Sequence, residues 1–354
     1  MVKTSLSFIS LNTRGLRDNV KRKAVFLFCK GQKAHCTFLQ ETHACNDDAT
    51  FWSNQWGEKI LFSHGSNRSG GVAICFNRCP GKVITFKADE VGHWLAVVLN
   101  VEGEFVILIN IYGFNNGNQN KLLLSEVTDV IIEYKQMYHS ELILIGGDLN
   151  LTPDEWQDRW PSKYSTNQRN PILFDFCNSN SLTDIWRDRN PDVNQFSWNK
   201  PNGNCKSRID LWLATPEITK YVSNVSISSA PLTDHCVIHL TLNPENRTKY
   251  KKDYWKFNAD LLKDEEFIRV VRNLIGEIKN DMSIQSCSSR WEYFKFKVRE
   301  FSIQYSKAKN RQQKQYEVQL VQDINDCCNK TVISDADKSN FISLQNKLDN
   351  LYIK

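Results

Sequence analysis

No apolar stretch in this chain approaches the roughly 20 residues that a membrane helix requires, and no N-terminal apolar segment leads to a small-residue cleavage site. These absences argue against a membrane-spanning or secreted protein, and a soluble intracellular one with no membrane partner is expected. The eleven cysteines are scattered and odd in number, and none form a Cys-x-x-Cys pair. That argues against a disulfide framework and a zinc ribbon, leaving reduced and mostly buried thiols. Also missing is an Asp-Asp pair between apolar strands, the kind of site that holds polymerase metal ions. No polymerase chemistry is therefore assigned to these residues.

What is present suits a large folded body. The length of 354 residues fits two domains or one domain with an appendage, and 41% hydrophobic residues with ten Trp and nineteen Phe can bury a substantial core. The net charge of +5 is uneven: 21 Lys and Arg face 16 Asp and Glu from Glu245 onward, whereas the part before it carries 24 of each. A neutral body with a basic tail is compatible with nucleic-acid work but does not by itself argue for it.

Up to about residue 242 the chain shows short strand-like runs, among them 6–11, 36–39, 72–76, 94–101, 105–112, 209–213, 222–228 and 236–242. Glu102-Gly103-Glu104 reads as a hairpin turn, and helical periodicity appears around 20–28, 122–134 and 172–178. Two packed sheets with helices outside are expected over 1–243. Residues 244–253 form a polar, basic linker. Residues 254–354 read as a helical, coiled-coil-like segment, with apolar stripes such as Phe267, Val271, Leu274 and Ile278, or Phe341, Leu344, Leu348 and Leu351. The basic clusters Lys295, Lys297, Arg299 and Lys307, Lys309, Arg311 read first as a solvated helix face.

The strand-like runs end in polar cargo. Glu141 to Asn150 reads ELILIGGDLN, an apolar run that stops at two glycines and presents Asp148 and Asn150 two positions apart. On extended backbone two such side chains point the same way, so both are expected to face one site. Asn12 ends the first strand, Gln40-Glu41-Thr42 the second and Tyr112 another, while Ser207-Arg208-Ile209-Asp210 and Thr233-Asp234-His235 precede later apolar runs. Singly, each has an ordinary reading: a solvated strand end for Glu41, a turn cap for Asp234, a hydrogen-bonded core histidine for His235, packing for Tyr112, a surface ion pair for Arg208 and Asp210. Together they form a carboxylate-rich set with one His, which suits a hard, oxygen-liganded ion such as Mg²⁺.

In this order, over roughly residues 4–243, these motifs resemble those of the exonuclease-endonuclease-phosphatase superfamily. Within it the chain looks most like the apurinic-type endonuclease domain of LINE-type, non-LTR retrotransposons, with Tyr254-Trp255-Lys256-Phe257-Asn258 similar to the start of the linker toward a reverse transcriptase. The resemblance implies a four-layer α/β sandwich whose Glu41 binds Mg²⁺, or Mn²⁺ in its place, with Asn12 and Asp234 as neighbours or second-position metal ligands. It implies that Asp148, helped by Asn150, activates water. It also implies that His235, held by Asp210, and Tyr112 contact the scissile phosphate, with Ser207 and Arg208 on the substrate side. The implied substrate is duplex target DNA, nicked to give a 3′-hydroxyl for target-primed reverse transcription, with the element's own RNA and reverse transcriptase region as further partners and the nucleus as the place of action. A fragment or truncated copy of such an element is then expected. The alternatives are an abasic-site repair endonuclease or phosphatase of the same superfamily, and a catalytically silent nucleic-acid-binding remnant. Arg14 stands where some repair-type relatives have an acid. Target preference would reside in loops such as 194–204.

Overall fold

The computed structural model describes residues 4–162, 164–200, 203–243, 257–280, 286–329 and 334–353. The linker expected at 244–253, the Tyr254-Trp255-Lys256 string, and Pro201 and Asn202 of the 194–204 loop lie outside them. The strands are β1 (Leu6–Asn12), β2 (Cys36–Gln40), β3 (Ile60–Ser63), β4 (Val72–Phe76), β5 (Lys82–Ala88), β6 (Trp94–Val101), β7 (Glu104–Tyr112) and β8 (Ile143–Asp148). They continue as β9 (Arg159–Trp160), β10 (Thr183–Asp184), β11 (Trp198–Asn199), β12 (Lys206–Ser207), β13 (Asp210–Ala214), β14 (Val222–Ser229) and β15 (Cys236–Leu242). The helices are α1 (Asn19–Gly31), α2 (Ala49–Trp56), α3 (Gly117–Tyr138), α4 (Pro171–Ser179), α5 (Ile185–Arg189), α6 (Pro216–Thr219), α7 (Glu265–Asn280), α8 (Cys287–Asn329) and α9 (Asp335–Tyr352). None of the described helices is long and apolar enough to cross a membrane.

Two six-stranded sheets run β14-β15-β1-β2-β4-β3 and β10-β13-β8-β7-β6-β5, with a small third sheet β11-β12-β9. Both large sheets are mixed, since β1 pairs parallel to β2 and β7 parallel to β8. Alternation assigns the layers. Phe8, Phe38, Val97, Leu108, Leu144 and Trp212 fill the space between the sheets. Their odd-even neighbours face helices: Ile9, Leu11 and Leu39 meet α1 and α2 through Phe26, Phe28, Trp52 and Trp56, while Ile107, Ile109 and Ile143 meet α3 and α4 through Leu123, Val127 and Phe176. The result is the helix-sheet-sheet-helix sandwich expected from sequence. The β6–β7 hairpin turns at Glu102 and Gly103, both at positive φ, as a two-residue turn between twisted strands requires.

The two glycines that end the ELILIGGDLN run have separate causes. A Cβ on Gly146 would lie 2.2 Å from the Trp212 ring, and one on Gly147 would lie 1.9 Å from the Ile111 carbonyl oxygen. Trp212 packs edge-on to Phe8 and Phe38 at centroid distances of 6.1 and 5.2 Å, so its ring cannot retreat without opening the inter-sheet core. Gly146→Ala is therefore expected to destabilise the fold by ~1–3 kcal/mol, the usual cost of overpacking, measured by denaturant unfolding.

The chain divides into one compact unit of Met1–Arg247 with Leu320–Lys354 and another of Thr248–Gln319. In the second, Phe267 of α7 stacks on Phe301 of α8 at 5.3 Å, and the Tyr305 hydroxyl donates to Asp264 at 2.9 Å. Whereas the sequence reading groups all of 254–354 together, 320–354 belong to the sandwich unit. Leu320, Ile324 and Cys327 of α8 pack against Leu344 and Leu348 of α9, and Tyr352 of α9 meets Phe28 of α1 at 5.3 Å.

Candidate active site

At the C-terminal ends of the parallel strands the inter-sheet face turns polar. Strand register aligns Tyr112 with Asp148 and Asp148 with Asp210, so three functional side chains form one row across the second sheet. In the first sheet Asn12 stands opposite Gln40. The sheets are tied just below by Gln40, whose amide donates to Ser10 Oγ at 3.0 Å and to Asn110 Oδ1 at 2.6 Å. Above them opens a cleft of about 440 Å³ lined by Glu41, Tyr112, Asp148, Asn150, Asp234 and His235, with Arg14, Arg159 and Trp198 also on its walls.

The contacts inside are dense. His235 Nδ1 lies 3.0 Å from Asp210 Oδ2, and its Nε2 lies 3.8 Å from Asp148 Oδ2. Asp210 is itself fixed by Ser197, whose hydroxyl donates to Oδ2 at 2.6 Å while accepting from the backbone N–H of Ile209 and Asp210. The Asn12 amide donates at 2.8 Å both to Glu41 Oε1 and to Asp148 Oδ2, so one buried side chain links the two carboxylates. Asp148 accepts a second hydrogen bond, at 2.9 Å, from the Asn150 N–H.

Burial and charge shift the protonation of this group. Burial, then the neighbouring Asp210, push the Asp148 carboxyl up to about 7 against the pull of His235. For His235 burial disfavours the charged ring, but Asp210, Asp148 and Asp234 outweigh it and raise the imidazolium to about 10. Burial and the adjacent Glu41 hold the Tyr112 phenol well above its ordinary range, which keeps it a hydrogen-bond donor at neutral pH. Its ring is backed by His93, stacked at 5.3 Å, with His93 Nδ1 2.6 Å from the Tyr112 carbonyl oxygen.

The donor set can be tested against a metal. Asp148, Asp210 and His235 offer ligand atoms within 4.8 Å of one another. Their histidine, however, is bound to Asp210 through Nδ1, and a protonated imidazole has no lone pair to give. Glu41 is better placed, because its side chain is 22% exposed and its Oε2 lies 3.9 Å from His43 Nε2, beyond hydrogen-bond reach. Carboxylate and amide oxygens without thiolates fit a hard ion that keeps much of its own water.

Residues 9–235 match the Endonuclease/Exonuclease/phosphatase family, which is more than half of the chain. The chain belongs to the Endonuclease/Exonuclease/phosphatase family. Among relatives of this family member, a transposon TX1 uncharacterized 149 kDa protein of Xenopus laevis is 27% identical over 273 residues, 76% of this chain but only 20% of that protein. The chain thus spans about a fifth of that relative's length. Two solved structures share the fold. One is the endonuclease domain of TRAS1, a telomere-specific non-LTR retrotransposon, at TM-score 0.52 and 12% identity, covering 68% of this chain and 99% of that one. The other is the 3′ phosphatase NExo from Neisseria bound to product DNA hairpin, at TM-score 0.54 and 17% identity, covering 67% and 99%.

Against this family fold the sequence expectations sort out plainly. Glu41, Tyr112, Asp148, Asn150, Ser207, Asp234 and His235 line the cleft, with Asn12 and Asp210 buried just behind it. Asn150 arrives by a different route from the one expected. The strand ends at Asp148, and Asn150 sits at φ 49° with its amide donating to the Gly113 carbonyl at 2.8 Å, so a turn and not strand alternation brings it to the site. Asp234 is turned toward Arg14, at 3.3 Å, and the Trp198 indole N–H, at 3.2 Å. Arg208 is corrected: it is fully buried, bonds Asp158 at 2.8 and 3.0 Å and Asp184 at 2.7 Å, and does not line the cleft. Ser197, Trp198 and His93 went unforeseen. Ser197 lies in Phe196-Ser197-Trp198 without any recognisable spacing to Asp210, and its role depends on β11 and β13 meeting in space.

Proposed function

We propose that this chain hydrolyses a phosphodiester bond in duplex DNA, nicking one strand to leave a 3′-hydroxyl that primes reverse transcription of a non-LTR retrotransposon. The observation that carries the reading is His235, held between Asp210 and Asp148 on the floor of an open polar cleft, with Glu41 joined to the same carboxylate through Asn12. The transposon relative and the retrotransposon endonuclease of like fold support the element, and the DNA-bound neighbour supports the polymer. The element's RNA and its reverse transcriptase region are the partners this reading adds, and the nucleus is where the target lies.

Each residue has a task in that reaction. Asp148, poised near neutrality and oriented by Asn12 and Asn150, positions and deprotonates the attacking water. His235 carries its charge toward a phosphate oxygen, with Asp210 and Ser197 fixing its ring, and Tyr112 donates to the same group. Glu41 would hold Mg²⁺ or Mn²⁺, with the Asn12 amide behind it. When bound, that ion supplies positive charge for the developing phosphorane and leaving oxygen. Trp198, Arg14 and Arg159 on the walls offer a stacking surface and cations to the nucleic acid.

The test is conversion of supercoiled plasmid to the relaxed form. Nicking is expected with Mg²⁺, at similar rates on intact and abasic duplexes, and is expected to vanish on chelation with EDTA. Cleavage confined to abasic sites would replace the proposal with a repair reading, and an intact plasmid after prolonged incubation would leave a nucleic-acid-binding remnant.

A further inference from the structure

Asp234 and His235 are delivered by residues 230–235, the loop between β14 and β15. Its backbone is unusual at Leu232, which has φ of +62°, a region that a branched side chain seldom occupies without outside support. That support comes from α9. Asp349 Oδ1 accepts the Leu232 N–H at 2.8 Å, and Gln345, one turn earlier, donates both to the Ala230 carbonyl and to Asp349 Oδ1 at 3.0 Å. On its other side the loop is held by Thr233, whose hydroxyl donates to the Asn12 carbonyl at 2.9 Å and accepts the His235 N–H at 3.2 Å. The loop is thus gripped between the end of β1, where Asn12 reaches the two carboxylates, and a helix that lies outside the family-matched residues 9–235. A further anchor holds the same helical region, as Ser229 Oγ donates to Asn325 Oδ1 at 2.9 Å.

From this geometry we infer that Asp349 and Gln345 are positioning residues for His235, so that residues 320–354 complete the catalytic unit. The inference rests on the phosphodiesterase reading for its kinetic consequence but not for its structural one. If the grip on Leu232 is released, the loop can relax to negative φ, and the His235 ring shifts relative to Asp148 and Asp210. Misplacement of this kind lowers the rate of the chemical step without weakening substrate binding. Asparagine at position 349 keeps an oxygen that can accept the same N–H, whereas alanine removes it.

The experiment uses the full chain with Asp349→Ala, Asp349→Asn and Gln345→Ala. Plasmid nicking is followed for kcat and KM, and hydrogen-deuterium exchange is followed for the amides of 230–236. Asp349→Ala is expected to lower kcat about tenfold with KM within about twofold, and to raise exchange about tenfold in this loop alone. Asp349→Asn should restore kcat to within about threefold of wild type. Gln345→Ala, which leaves the Asp349 carboxylate in place, should fall between the two, and it carries the test if Asp349→Ala fails to fold. Unchanged loop exchange in both alanine variants overturns the inference. So does an unchanged kcat in Asp349→Ala beside an active wild type. If wild type itself nicks nothing, the phosphodiesterase reading fails, and loop exchange alone then upholds or overturns the grip.

Discussion

Replacing His235 by alanine is expected to lower the rate of DNA nicking about a hundredfold or more while leaving the fold intact, as judged by plasmid relaxation and thermal unfolding side by side. The expectation follows from its surroundings. The ring is 7% exposed and has carboxylates on both sides, so the protein fixes the direction of its charge on the cleft floor. Alanine removes that charge and leaves Asp210 with Ser197 as its remaining partner on that side. His235→Gln, which keeps a neutral donor in place of a charged one, should recover only part of the rate. A nicking rate within threefold of wild type for His235→Ala would remove His235 from the reaction.

The second large effect concerns stability. Asp158→Ala should cost ~3–5 kcal/mol in denaturant unfolding, because it removes one of the two carboxylates that hold the buried Arg208 guanidinium and, with it, a partner of Arg187. Arg208 and Asp158 are 0% and 1% exposed, and Asp158 Oδ1 also accepts from Arg187 at 2.5 Å. Burial opposes the Arg208 charge, but Asp184 and Asp158 overcome that opposition and hold its pKa above the usual arginine range. The backbone takes part as well, with the Arg208 N–H donating to the Asp158 carbonyl at 2.9 Å, two residues ahead of Asp210. A double change, Asp158→Ala with Arg208→Met, should regain part of the loss, since a neutral side chain of similar length needs no counter-charge. If the single change costs no more than a surface substitution, the pair is not the anchor of this turn.

The contrast between Arg208 and Asp210 shows what the sequence could carry. Strand runs, the hairpin at Glu102-Gly103 and the helices near 20–28, 122–134 and 172–178 were legible because burial of one face imposes a period of two or 3.6. The polar strand ends were legible for the same reason, as residues that break an apolar run at its C-terminal limit. Which way a side chain turns just before a strand begins is not set by that period. Ser207 ends β12 and Asp210 opens β13, and Arg208 lies in the break between them, pointing into a bed of acids supplied by residues 158 and 184 instead of toward the cleft. Strand β5 and helix α2 escaped for other reasons. The first is an edge strand with a register shift between Val83 and Thr85 and with Ile84 and Phe86 exposed, and the second is eight residues long with only Trp52 and Trp56 buried. Asp349 and Gln345 gave no signal at all, being polar residues on an amphipathic helix far along the chain.

The strand order of the sandwich has a consequence for when the cleft can be completed during synthesis. The second sheet is built wholly from residues 82–214, whereas the first takes four strands from before residue 77 and its last two, β14 and β15, from 222–242. His235 sits immediately ahead of β15, which must pair with β1 before the histidine can meet Asp148 and Asp210. A nascent chain leaving the ribosome therefore holds Glu41, Tyr112 and Asp148 long before it holds a finished site.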